Sequence, residues 1–242
     1  MVAGEIDASR VQEPEEVATM TKQAIAKLRR PFDFGKLART YDQWYETPAG
    51  LAHDRVQKAD VLAMLPRPHP GATLLDVGCG TGHWSRFFAE CGYTVVGVDV
   101  AKEMIRVAQA HNPAGIRYRV ADARDLPFRD GSFDVVAAIA TIEFVPDVHA
   151  ALREMLRCLR AGGSLVIGVL NSLAPINRDR LAAGKQPYAS GRLLASDELR
   201  KLLAPYGDVH LGATGRSQGR HAAHAGPDRS MHKALLVAMV RK

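Results

Sequence analysis

The hydrophobic rhythm of the chain changes once, near residue 72. Before it, apolar positions recur at helical spacing. Val17, Met20, Ala24, Ile25 and Leu28 mark a helix over 14–30, with Glu15 and Glu16 at its start and Lys27, Arg29 and Arg30 at its end, as a helix dipole favours. Two further helices are expected over 34–45 and 51–65, the second ended by Pro66, Pro68 and Pro70. From Ala72 onward, short β-rich runs at 73–77 (TLLDV), 94–98 (TVVGV), 116–120 (IRYRV), 133–139 (FDVVAAI) and 164–170 (SLVIGVL) alternate with helical patterns at 83–91, 102–111 and 148–160. Mostly apolar strands joined by helices call for a parallel sheet covered on both faces, with right-handed crossovers. The expected class is α/β, doubly wound. After residue 170 an irregular stretch leads to a helix with Ser196 as its cap and Glu198 in its first turn. Two last runs, near 208–213 and 234–240, suit an antiparallel pair. The expected organisation is a helical extension over 1–70 and a sheet domain over 71–242, with an insertion around 171–195.

Composition narrows the classes without changing this outline. The 242 residues are 47% hydrophobic, 24% charged and 6% aromatic, the profile of a soluble globular chain. Gly and Pro show no period, which sets aside collagen-like and solenoid readings. No apolar run reaches the roughly 18 residues of a spanning helix, and the start lacks an apolar segment of about 7 to 15 residues, so a cytoplasmic protein is expected. Cys79, Cys91 and Cys158 are widely spaced, with no CxxC pair, which disfavours disulfides and zinc. The net charge of +6 admits an anionic or nucleic-acid partner. The basic residues form no dense run interleaved with aromatics, so solvated helix faces are the expected role.

The chemistry concentrates at strand ends. Leu74-Leu75-Asp76-Val77-Gly78-Cys79-Gly80-Thr81-Gly82 is a strand running into a tight glycine turn that opens a helix. In a doubly wound sheet ligands sit at the carboxyl ends of strands, where glycines let them approach the backbone. The Gly-x-Gly-x-Gly spacing is one residue shorter than the dinucleotide fingerprint, which argues against a simple NAD reading. Asp99 closes the second strand, 21 positions after Gly78, where a carboxylate can accept hydrogen bonds from vicinal ribose hydroxyls or cap the helix over 100–111. Asp122 closes the third strand.

DVGCGTG, VVGVDVAKEMI, ADARDLPFRDGSFDVV, TIEFVPD and LRAGGSLVIGVLN, in this order and spacing, resemble the class I S-adenosylmethionine-dependent methyltransferases, in particular the type-11 group that includes ubiquinone and menaquinone biosynthesis enzymes. The resemblance covers about residues 35–172, YDQWYETPAGLA being similar to the helical lid of that group. It implies a Rossmann-like methyltransferase fold, a mostly parallel seven-stranded sheet with an N-terminal helical lid, and S-adenosylmethionine as cofactor, with S-adenosylhomocysteine as product. It also implies roles. The backbone of Gly78, Gly80 and Gly82 passes under the methionine and ribose portions, Asp76 sits beside the methionine ammonium, and Asp99, followed by Val100, binds the ribose. Asp122 and Ala123 recognise the adenine amine, Met104 packs near the adenine, and Ala140 and Thr141 line the sulfonium side. Ala101 departs from the Ser or Thr that often caps the helix there. Tyr41, on the lid, can hydrogen-bond the methionine carboxylate or lie against the sulfonium, whereas Trp44 fits a core-facing aromatic stripe.

A sulfonium donor transfers its methyl by in-line displacement, and the departing thioether needs no proton, so positioning and desolvation supply most of the acceleration. A general base is needed only for an acceptor that arrives protonated. Candidates are Glu143, His53, His149 and His221, with Glu143 foremost because it follows the fourth strand. His221, His224 and His232 lack a carboxylate or Cys companion, and Gly226-Pro227 interrupts them, so no metal is expected. The leading expectation is methyl transfer to a small molecule. The alternatives are an RNA or protein methyltransferase and a non-catalytic S-adenosylmethionine-binding regulator; a homodimer is compatible with each. Against RNA or protein, Ala140-Thr141-Ile142-Glu143 stands where an Asn-Pro-Pro-Tyr type segment would orient such a nucleophile.

Overall fold

The computed structural model describes residues 33–112, 115–212 and 233–242; the helix expected over 14–30 and His221 lie outside the described residues. Seven strands, β1 (Thr73–Val77), β2 (Thr94–Asp99), β3 (Arg117–Val120), β4 (Phe133–Ile139), β5 (Leu159–Leu170), β6 (Val209–Leu211) and β7 (Leu235–Arg241), form one sheet in the order β3-β2-β1-β4-β5-β7-β6. The first five are parallel to one another. β7 runs antiparallel between β5 and β6. The seven-stranded doubly wound architecture is the expected one, with β7 enclosed in the sheet and β6 at its edge.

Both faces of the sheet are covered, which is why the central strands read as apolar runs and not as alternating ones. Side chains alternate along a strand. On one face Leu75, Val77, Val136 and Ala138 pack with Leu152 and Met155 of α5 (Val148–Cys158) and with Leu199 and Leu203 of α7 (Ser196–Leu203). On the other, Leu74, Val135 and Ala137 pack with Val61 of α2 (Pro48–Met64), Trp84 and Phe88 of α3 (His83–Glu90), and Ile105 and Ala108 of α4 (Lys102–Ala110). Burying each such leucine contributes about 1.5–3 kcal/mol before entropy is counted. The order reverses between β1 and β4, so the ends of these strands diverge into a crevice.

Three boundaries differ from expectation. The stretch 34–45 is not one helix: a 3-10 turn (Phe34–Leu37) and a short α1 (Gln43–Glu46) are joined by a turn. The Asp33 carboxylate accepts the Gly35 N–H at 3.1 Å, and such local side-chain bonds compete with the helical ladder. β5 begins at Leu159, opposite Phe133, and bulges before the expected start at Ser164. The cap of α7 is Ala195, whose N–H is bonded by the Glu198 carboxylate at 2.8 Å; Ser196 is the first helical residue.

Candidate functional site

The crevice is floored by the turn after β1. The N–H groups of Gly78 and Cys79 both donate to the Val98 carbonyl, at 2.7 and 2.9 Å, which pins the turn to β2. Gly78 has φ +72°, and a Cβ there would lie 2.2 Å from the Thr141 side chain, so the turn needs glycine to let the end of β4 approach. At Gly80, with φ +53°, a Cβ would meet nothing within 4 Å: this glycine faces open space. Cys79 is buried inside the turn, and burial, with the charges of Asp76 and Asp99, pushes its thiol well above the ordinary range, so it is no nucleophile.

Asp99 ties the turn to the next helix. One carboxylate oxygen accepts the Gly80 N–H at 2.9 Å and the other the Ala101 N–H at 2.8 Å. Burial raises its pKa and the two N–H bonds oppose the rise. Each oxygen keeps a further lone pair for a hydroxyl donor. The cap role is replaced by this bridge, since Ala101 occupies the cap position of α4. Asp76 lies under the turn, only 1% exposed, where Ser85 of α3 donates to it at 2.6 Å. Burial, opposed by Ser85 and helped by Asp99, raises its pKa to about 7. Met104 is buried on α4, Val100 is exposed, and Ala123 packs against the core. Asp122 is clasped by Arg124, whose guanidinium reaches it at 2.6 Å and whose N–H reaches it at 2.8 Å, holding its pKa low.

The end of β4 forms the facing wall. Ala140, with φ +52°, is the non-glycine residue in the left-handed region among the described residues, and its N–H donates to the Gly168 carbonyl at 2.8 Å. Backbone strain of this kind clusters at functional sites. It turns the chain so that Thr141 meets the glycine turn and Glu143, in the 3-10 turn Ile142–Phe144, folds inward. Glu143 is 5% exposed. Its Oε1 accepts the Leu170 N–H at the end of β5, while Oε2 is buried with no partner among the described residues. Burial, opposed by backbone N–H groups, raises its pKa to about 7.

The segment 41–54 covers the crevice. Thr81 donates to Asp42 at 2.6 Å, Tyr45 stacks on His83 with centroids 4.0 Å apart, and His83 bonds Asp54 at 2.6 Å. Burial first, then Tyr188, Asp42, Asp99 and Glu143, raise the pKa of the Tyr41 phenol, so Tyr41 stays a neutral donor within electrostatic reach of both the β2 and β4 ends. Arg180 of α6 (Pro175–Ala182) lies between the rings of Trp44, at 5.5 Å, and Tyr188, at 4.5 Å, joining the cover to the insertion. Trp44 is thus at the surface of this junction and not in a core stripe; it is 37% exposed.

Of the other proposed bases, His53 is half-buried beside Trp44, bonds Gln57 at 3.1 Å, and is held below its ordinary pKa by burial and Arg180. His149 bonds the Tyr206 hydroxyl at 3.0 Å on the exposed side of α5 and is not part of this cluster. Arg180, Tyr188 and Asp42 went unnoticed in the sequence as site residues. Only the fold joins residues so far apart, and no local pattern marks them.

Residues 75–167 match the family model described as a methyltransferase domain. The malonyl-[acyl-carrier protein] O-methyltransferase of Pectobacterium atrosepticum is 33% identical over 149 residues, which is 62% of this chain and 54% of that protein. The ubiquinone biosynthesis O-methyltransferase of Xanthomonas campestris is 40% identical over 106 residues, 42% of this chain and 44% of that protein. The chain therefore spans about half the length of these two relatives. A SAM-dependent methyltransferase structure from Thermotoga maritima superposes with a TM-score of 0.66 at 23% identity, over 87% of this chain and 98% of that one, and has the same fold.

Proposed function

From a chain whose residues 75–167 belong to the methyltransferase domain family, we propose an S-adenosylmethionine-dependent enzyme that methylates a protic small molecule, with Glu143 taking up the acceptor's proton. The observation that carries this reading is one crevice holding both an open glycine turn tied to Asp99 and a buried carboxyl one oxygen of which has no partner among the described residues.

The residues present fit the cofactor. Gly80 leaves room for a ligand against the backbone, Asp99 offers acceptor lone pairs to ribose hydroxyls, Tyr41 offers a neutral hydroxyl, and the buried Asp76 supplies negative character beneath the turn. When bound, S-adenosylmethionine supplies an electrophilic methyl group whose departure leaves a neutral thioether. The chain does the rest. The cover made by Asp42, Tyr45 and His83 over Thr81 keeps water from the crevice. Thr141, held against Gly78, fixes the end of β4 to the glycine turn, so that the two walls of the crevice keep one relative position. Glu143, near pH 7 a mixture of acid and carboxylate, takes the proton that the acceptor loses as its new bond to carbon forms.

The name of the ubiquinone biosynthesis O-methyltransferase supports a small-molecule acceptor, whereas the malonyl-[acyl-carrier protein] relative is named for an acyl group carried on a protein. The test is incubation with methyl-labelled S-adenosylmethionine and cell extract separated into small-molecule, RNA and protein fractions, with Asp99→Ala as control. Label in small molecules is expected. Label confined to RNA or protein would overturn the acceptor class.

A further inference from the structure

At the junction of the cover and the insertion stands a cation held by aromatic rings and not by a carboxylate. Arg180 is half-buried, and its guanidinium has no carboxylate at ion-pair distance among the described residues. Its one side-chain hydrogen bond among the described residues is a long contact of 3.4 Å to the Asn177 side chain. Two aromatic faces hold it, Trp44 from the cover and Tyr188 from the insertion. Stacking fixes the plane of a guanidinium and leaves its edge, with its fork of N–H donors, free for a planar anion. Asn177 is buried and anchored to the carbonyls of Asn171 and Ala234, so the helix that presents Arg180 is fixed to the ends of β5 and β7. The turn that carries Tyr188 (Tyr188–Ser190) runs on to Gly191, which lies against the Phe144 ring, and to Arg192, whose N–H donates to the Glu143 carbonyl at 2.9 Å; the segment that holds the cation is thus in direct contact with the turn that carries the buried carboxyl. Apolar rings stand at the same turn: Phe34 meets Phe144 edge-on at 4.9 Å, and Phe144 lies against Gly191.

Resting on the acceptor site assigned above, we propose that Arg180 is a specificity residue that binds a carboxylate of the acceptor. The acceptor is then a small aromatic or apolar molecule with an acid group at one end and the methylated atom at the other, near Glu143. Bidentate pairing with a carboxylate in a partly desolvated setting is the geometry for which arginine surpasses lysine. The two rings prepay the ordering of the side chain, which is otherwise a cost of binding.

Benzoate and its neutral isostere benzamide are suitable probes, titrated by calorimetry into the whole protein saturated with S-adenosylhomocysteine. Benzoate is expected to bind about tenfold or more tightly than benzamide, the discrimination expected of a charge-assisted pair. In Arg180→Met that preference should vanish with benzamide affinity unchanged, and Arg180→Lys should recover only part of it. A merely structural staple would lower both affinities together. Equal binding of the two probes by the wild-type protein, or a preference that survives in Arg180→Met, would overturn the proposal. The wild-type comparison decides even if the variant fails to fold. Failure of the protein to bind S-adenosylhomocysteine would instead overturn the underlying cofactor reading, so the two failures are distinguishable.

Discussion

At the scale of single residues, Glu143 and Asp76 set the electrostatic character of the crevice. Each is a buried carboxyl raised to about 7, from 4.5 and 3.8. A carboxyl held up in this way binds its proton more tightly in the folded state. The folded chain thus bears no penalty below the ordinary carboxylate range and loses stability as pH rises through about 7. Glu143→Gln removes one such group. Its melting temperature relative to wild type should rise between about pH 5 and about pH 8 in thermal denaturation; a difference independent of pH would contradict the assignment. If Glu143 accepts the acceptor's proton, kcat/KM should climb through about pH 7 and the variant should lose that limb. Sequence position alone placed Glu143 after the fourth strand, and Asp99 after the second. What position could not reveal was the unpartnered oxygen of Glu143, or the hold of Arg124 on Asp122, because burial and pairing are properties of the folded neighbourhood.

At the scale of elements, the turns after β1 and β4 are built to meet. Gly78→Ala would place a methyl group against Thr141 and should destabilise the protein by about 2 kcal/mol or more, combining strain at positive φ with overpacking. Gly80→Ala has the strain without the clash and should cost about 1–2 kcal/mol of stability, while weakening S-adenosylhomocysteine binding through a methyl that projects into the ligand's space. Urea titration of both variants separates them; equal losses would contradict the close approach of Thr141. Ala140→Gly relieves strain and should stabilise by about 0.5–1 kcal/mol, net of the extra freedom of glycine when unfolded. The glycine turn was legible because only glycine takes such backbone angles readily. The strain at Ala140 was not, because alanine carries no signal for it. The break in 34–45 and the early start of β5 were hidden for a related reason. Asp33 and the pairing of Leu159 with Phe133 override a periodicity that, read alone, continues the helix or delays the strand.

At the scale of the whole described unit, order should decline from the centre of the sheet outward. β1, β4 and β5 lie in the interior of the strand order, whereas β3 and β6 are its edges. Hydrogen exchange should therefore be slowest in the first group. Adding S-adenosylhomocysteine should slow exchange in 41–46, 78–82 and 99–104 and leave β6 unchanged, if the cover, turn and second strand end share one ligand. The layered architecture was readable from alternating strand and helix runs, because two covered faces leave a plain apolar signature. The junction of Trp44, Arg180 and Tyr188 was not, because it exists only once the cover and the insertion meet.

The claim on which all of this depends is that the carboxyl ends of β1 and β2 hold S-adenosylmethionine through Asp99. Isothermal titration calorimetry of S-adenosylmethionine against wild type and Asp99→Ala, with melting temperatures as a fold control, tests it most directly. Saturable binding by the wild type, weakened by about 1–3 kcal/mol in a variant that still folds, is the predicted result. Equal affinity of the two proteins, or no binding by the wild type, would contradict it.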